Sequence, residues 1–219
     1  MSHLPPLEMV LDAYSRGLFP MAESADAETF AWYEAPLRGV LSIDNLHVSR
    51  RLRRTVLGGA FEIGVDTDFL GVINGCAAPA EKRANTWINR GIRDLFVRLH
   101  EEGHAHSLEC WQNGKLVGGV YGLAIGGVFC GESMFSQARD ASKVALVHLC
   151  ARLQRGGFEL FDAQLVNPHL RQFGIQEVPR DQYMAMLRAA LPIHADFRLN
   201  GYPGDEMALV REYLEFLDK

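Results

Sequence analysis

Residues 106–136 read HSLECWQNGKLVGGVYGLAIGGVFCGESMFS, and nothing else in the chain constrains the fold as tightly. Asn113-Gly114 stands between two strand-like runs. That dipeptide tolerates the positive φ that a two-residue hairpin turn demands at both central positions, so an antiparallel ribbon is expected. The returning arm carries Gly118, Gly119, Gly122, Gly126, Gly127 and Gly131. Glycine weakens strand interiors, so this density predicts bulges, bends or a ligand lying against the backbone. The run then reaches Glu132 among apolar neighbours, where an unpaired charge is costly. A carboxylate in such company predicts a site.

Around this ribbon, strands and helices alternate. FEIGVD (61–66) reads as a strand, and 67–77 and 90–102 as helices. DASKVALVHLCARLQRGG predicts a long helix capped by Asp140 or Ser142, with Val144, Val147, Cys150 and Leu153 on one face and Gly156-Gly157 at its end. FELFDAQL reads as a buried strand, a short helix runs to Gly174, and QEVPRDQYMAMLRAAL gives a last strand and helix. At the N-terminus, 7–17 is helical up to Gly17, the chain turns through Pro20, and WYEAPLRGVLSI is a strand interrupted by Pro36. The expectation is an α+β (α/β) protein: a small N-terminal domain, 1–38, packed on a larger domain, 39–219, with one sheet. The larger domain is similar in architecture to the acyl-CoA N-acetyltransferase-like folds, a likeness that says nothing of function.

Composition removes several classes. No apolar run is long enough to span a bilayer and no signal-peptide pattern opens the chain, so a cytoplasmic protein without a membrane partner is expected. Four cysteines without a C-x-x-C pair speak against a disulfide framework or a zinc site, and His104 and His106 lack an acidic or sulfur ligand at helical spacing; no metal is expected. A net charge of −5 opposes indiscriminate nucleic-acid binding, DNA included. Local basic runs remain. HVSRRLRRT holds Arg50, Arg51, Arg53 and Arg54, and EKRANTWINRGIR holds Lys82, Arg83, Arg90 and Arg93. They are either solvated helix faces or contacts to a phosphate backbone.

Three polar residues compete for chemistry. Glu132 is one; Asp162 and Gln164, two apart on an apolar strand, share a face and are costly there unless paired or functional. Most of the aromatics, Trp32, Tyr33, Trp111, Phe129 and Phe135 among them, read as core. Trp87 lies beside basic residues, where a ring can stack on a base while arginines hold phosphates. Ser133, Ser136 and Ser142 lie in no G-x-S-x-G context, which disfavours a serine hydrolase.

The segments GLFPM, WYEAPLRGVL, HVSRRLRRT, NTWI, HAHSLECW, LVGGVYGLAIGGVFCGESMFS, ASKVAL and FDAQLVNPHLRQFG occur in this order. Together, from about Ala13 to Tyr183, they closely resemble the leucyl/phenylalanyl-tRNA–protein transferases. The resemblance implies transfer of leucine, phenylalanine or methionine from aminoacyl-tRNA to proteins with N-terminal Arg or Lys, which marks them for degradation. It implies a monomer without cofactor, with Glu132, Asp162 and Gln164 at the catalytic centre. Trp87 would meet the tRNA 3′ adenosine, and Val120, Phe129, Leu149 and Leu153 would wall the side-chain pocket. Trp32, Tyr33 and Ser133 would also bind substrate, and Arg50, Arg51, Arg53, Arg54, Lys82, Arg83 and Arg90 would hold tRNA. Many members carry a further N-terminal Gly-Gly-Asp segment, so contacts of the small domain are expected to differ. Two rivals are weighed against this. An acetyl-CoA-dependent N-acetyltransferase lacks its pyrophosphate loop here, since SQARDASK precedes the long helix without the required glycines. A non-catalytic RNA-binding module leaves Glu132, Asp162 and Gln164 without a purpose.

Overall fold

The computed structural model describes residues 4–79, 85–166 and 168–219. The chain opens with α1 (Leu7–Ser15), β1 (Phe19–Met21) and β2 (Ala31–Tyr33), the two strands pairing antiparallel. There follow β3 (Leu37–Leu41), α2 (Arg50–Leu57), β4 (Glu62–Val65), α3 (Phe69–Ala77) and α4 (Arg90–Glu101). The centre is a meander of β5 (Ala105–Gln112), β6 (Lys115–Ile125) and β7 (Val128–Ser136). The chain closes with α5 (Ala141–Arg155), β8 (Leu160–Gln164), α6 (Pro168–Arg171), β9 (Gln176–Pro179), α7 (Arg180–Ala190) and α8 (Glu206–Phe216). This is the expected α+β body carrying a small N-terminal unit.

The hairpin turn is where the dipeptide put it, with φ of 52° at Asn113 and 69° at Gly114. Among the described residues the large sheet has seven strands in the order β4-β5-β6-β7-β8-β3-β9. Two bends come from the glycine run. At Gly122 the β6–β7 register slips, and a Cβ there would strike the Cys130 carbonyl and the Phe129 ring. At Gly126, φ is 56° and the Leu191 backbone leaves no room for a side chain.

α5 carries the chain from β7 to a parallel β8, pairing Cys130 with Asp162, and β3 then lies antiparallel on the far side of β8, pairing Val40 with Asp162. Asp162 is thereby placed in mid-sheet with a strand on either hand. Apolar residues of α2, α5 and α8 form one core cluster, and those of α1, α3, α4 and α7 form another.

Three expectations need correction. WYEAPLRGVLSI is interrupted at Pro36 as expected, but its two pieces join different sheets, β2 the small one and Leu37 and Arg38, with the rest of β3, the large one. Pro20 sits in β1 and not in a turn. Asp140 stands at the N-cap of the long helix, but neither its side chain nor that of Ser142 makes a capping hydrogen bond. Asp140 adopts a left-handed conformation (φ 65°) and pairs with Arg51, while the Ser142 N–H donates to the Ser136 hydroxyl at 3.1 Å. The sequence reading also ended at α7 and missed α8, whose Leu209, Val210, Tyr213 and Leu214 are buried. No described helix is long and apolar enough to cross a membrane, and no group of His, Cys, Asp or Glu suited to a metal occurs among the described residues.

Candidate active site

A cavity of about 400 Å³ opens between the N-terminal unit and the large sheet. Its walls are mostly apolar: Phe19 and Met21 from β1, Leu41 from β3, Val120 from β6, Met134 from β7, Leu146 from α5, and Phe161, Leu165 and Leu170. Gly131 at the wall is the part of the glycine run that lets β7 approach closely. Trp87 stands at the same cavity, its carbonyl accepting the N–H of Ala22 at 3.1 Å. Two polar side chains enter this apolar space, Glu132 and Gln164, beside the smaller Ser133.

Glu132 is 9% exposed, and its Oε1 accepts from the Tyr14 hydroxyl at 2.8 Å and from Gln164 Nε2 at 3.0 Å. Its other oxygen takes no hydrogen bond from the described residues. Burial raises its pKa to about 8; the Tyr14 hydrogen bond works against this, and the negative charge of Asp162 adds to it. Near neutral pH this shift favours the protonated carboxyl.

Asp162 is fully buried and fully occupied. Arg38 meets it with both arms of the guanidinium, Nε to Oδ1 at 2.8 Å and an Nη to Oδ2 at 2.7 Å. The Tyr183 hydroxyl donates to Oδ2 at 2.8 Å and the Gln164 backbone N–H to Oδ1 at 2.9 Å. Burial opposes the charge on Arg38, but the hydrogen bond and field of Asp162 outweigh it and push the guanidinium pKa above its ordinary value. Gln164 has a φ of 55°, the left-handed region that a non-glycine residue enters at a cost of about 1–3 kcal/mol. The bond to Asp162 holds it there and aims its side chain at Glu132.

The remaining candidates separate by place. Val120, Ser133 and Trp87 line the cavity with Glu132 and Gln164. Phe129, Leu149 and Leu153 do not: they are at most 1% exposed inside the core, Phe129 stacked on Phe197. Leu146, one turn earlier on α5, reaches the wall instead. Trp32 packs edge-on against Tyr14 at 6.1 Å, and Tyr33 is on the surface, while Met21, across the small sheet, lines the cavity. Arg51 pairs with Asp140, Arg53 with Asp218, and Arg90 with Asp94. Arg50 and Arg54 are exposed without an ion pair among the described residues. Lys82 and Arg83 lie outside the described residues. Sequence reasoning missed Arg38, Tyr14 and Tyr183. For Arg38 a signal existed: a lone charge in the apolar run PLRGVLSI, the same anomaly that singled out Glu132.

A buried carboxyl and carboxamide at the end of an apolar cavity, on an α+β body, form a candidate site that can seat an apolar group beside two polar side chains. Comparison with known proteins makes this specific. The family model described as "Leucyl/phenylalanyl-tRNA protein transferase" matches residues 40–188, and that of the family's N-terminal domain matches 6–36. Proteins named leucyl/phenylalanyl-tRNA–protein transferase are similar over nearly the whole chain. One from Rhodopseudomonas palustris is 52% identical over 96% of this chain and 93% of its own. One from Phenylobacterium zucineum is 53% identical over 86% and 85%. Among solved structures, the C-terminal domain of a lysylphosphatidylglycerol synthetase from Agrobacterium fabrum aligns at 12% identity with a TM-score of 0.46, covering 86% of this chain and 72% of that one. The chain belongs to the leucyl/phenylalanyl-tRNA protein transferase family, and the acetyl-CoA-dependent alternative gives way to it.

Proposed function

We propose that this protein moves leucine, and also phenylalanine or methionine, from aminoacyl-tRNA to the α-amine of proteins that begin with Arg or Lys, marking them for degradation in the cytoplasm. The observation that carries the reading is the apolar cavity ending in the Glu132–Gln164 pair. Its size and lining suit a medium-sized apolar side chain such as that of leucine, methionine or phenylalanine, and apolar pockets separate such side chains by only about 1–3 kcal/mol per methylene.

The aminoacyl ester is already activated, so the amine attacks its carbonyl carbon, a C–N bond forms, the C–O bond to the ribose breaks, and the ribose oxygen leaves with a proton. An α-amine of ordinary pKa, about 7.7–8.0, is partly neutral near pH 7.5 and needs alignment more than activation. Gln164 uses its amide nitrogen on Glu132, which leaves its carbonyl oxygen as the acceptor that orients the amine. Asp162 has no free lone pair to offer and acts by fixing Gln164. Glu132 meets the cationic N-terminal residue, and the arriving positive charge draws its proton off.

Charge distribution supports the choice of a basic acceptor. The first 36 residues carry Glu8, Asp12, Glu23, Asp26, Glu28 and Glu34 against Arg16, six acidic minus one basic, which equals the whole net charge of −5. On the donor side, Trp87 and Met21, which line the cavity, suit the terminal adenosine, and Arg50 and Arg54 are exposed for phosphates. The test is transfer of labelled leucine from Leu-tRNA to a peptide beginning with Arg and to one beginning with Asp. Transfer to the Arg peptide alone is expected; transfer to neither removes the reading.

A further inference from the structure

Arg38 ties the N-terminal unit to the polar centre, as Tyr14 does from the other side. Arg38 is the largest fully buried side chain, at 1% exposure. Its guanidinium lies between two rings, 4.6 Å from the centroid of Phe19 and 4.6 Å from that of Tyr183. Two of its nitrogens engage Asp162, and the third donates to the Gly17 carbonyl at 2.9 Å. Gly17 ends α1 with a φ of 77°, and a Cβ there would press on Tyr183 and Met184 at 3.0 Å. The carbonyl can therefore reach Arg38 only from a close approach that glycine permits.

Each contact bears on Gln164. Asp162 holds the Gln164 N–H and so its left-handed backbone, and the Gln164 side chain in turn holds Glu132. Tyr14, on the helix that Gly17 ends, holds Glu132 from the other side. A flat, bidentate, ring-stacked guanidinium fixes Asp162 in angle as well as distance, which an ammonium cannot do.

We propose that Arg38 is a positioning residue for the transfer step: it clamps Asp162 between the N-terminal unit and β8 so that Gln164 presents its amide oxygen to the attacking amine. The proposal rests on the transfer reading above. Arg38 does not line the cavity; it acts through Asp162 and Gln164, and neither Arg50 nor Arg54 is among its partners.

Single-turnover transfer from Leu-tRNA to an Arg-beginning peptide, together with Leu-tRNA binding, tests it in Arg38→Lys, Gln164→Ala and the double variant. Arg38→Lys is expected to slow the chemical step by about 10²-fold, the size of effect a misplacement near 1 Å produces, with Leu-tRNA affinity within twofold of wild type. In the Gln164→Ala background the same change is expected to cost less than threefold, because the group it positions is gone. A purely structural role would leave the rate per folded molecule unchanged, or give equal losses in both backgrounds; either result overturns the proposal. If Arg38→Lys does not fold, Tyr183→Phe, which deletes one bond to Asp162 and keeps the ring, is read in the same cycle with an expected loss of about 10-fold. Wild-type protein that fails to transfer at all would sink the transfer reading itself, a result distinct from additive losses in an active enzyme.

Discussion

Two carboxyl groups sit in one polar cluster and live in opposite surroundings. Asp162 is met by Arg38, Tyr183 and the Gln164 N–H, with every lone pair used. Glu132 has two donors on one oxygen, no cationic hydrogen-bond partner among the described residues, and a cavity in front of it. The difference is one of accessibility: the first is fixed architecture, the second a group whose charge depends on what enters. A catalytic centre built from both separates holding from responding, and the two can be broken independently.

The harshest break is at Asp162. Asp162→Asn keeps the volume but strands the buried Arg38 charge, and a loss of about 3–5 kcal/mol in unfolding free energy is expected by denaturant titration, with transfer abolished. Glu132→Gln should behave differently. A carboxyl whose folded pKa is raised to about 8 binds a proton more tightly folded than unfolded, so its contribution is fully present below its ordinary pKa of 4.5 and disappears as pH rises through 8. Between those limits the wild-type stability should fall relative to the variant, with a slope approaching about 1.4 kcal/mol per pH unit. Parallel curves for the two proteins would show that Glu132 does not titrate there.

That contrast was half legible in the sequence. Glu132 announced itself because its anomaly is local: a charge inside a short apolar, glycine-rich run. The Asn113-Gly114 hairpin was legible for the same reason. Arg38 carried the same local anomaly, but its partner was not legible: it meets Asp162 across 124 positions of chain, and nothing in PLRGVLSI says that β3 will insert between β8 and β9. Of the expected pocket walls Val120 lines the cavity, and the leucines of α5 differ for another reason. α5 is buried nearly all round, so residue type does not tell which leucine reaches the cavity, and Leu146 does so where Leu149 and Leu153 were expected. The cap at Asp140 failed because an ion pair to Arg51 on a distant helix took the carboxylate away.

Smaller perturbations sharpen the comparison. Tyr14→Phe removes a hydrogen bond that favours the charged form of Glu132, so its pKa should move above about 8, at a stability cost near 1 kcal/mol, read by the same pH series. Arg50→Ala and Arg54→Ala lie outside both corners and should leave stability almost untouched. Each should weaken tRNA binding evenly across tRNA sequences and reduce the salt dependence of log affinity by about one unit of slope.

The most direct measurement is calorimetric titration of a peptide beginning with Arg into wild type and Glu132→Gln at pH 7, in buffers of different ionisation enthalpy. If the incoming cation draws the proton from Glu132, wild type releases more protons per peptide bound than the variant, and the excess approaches one. Equal proton release by the two proteins would contradict the account and leave Glu132 charged, and as static as Asp162, before substrate arrives.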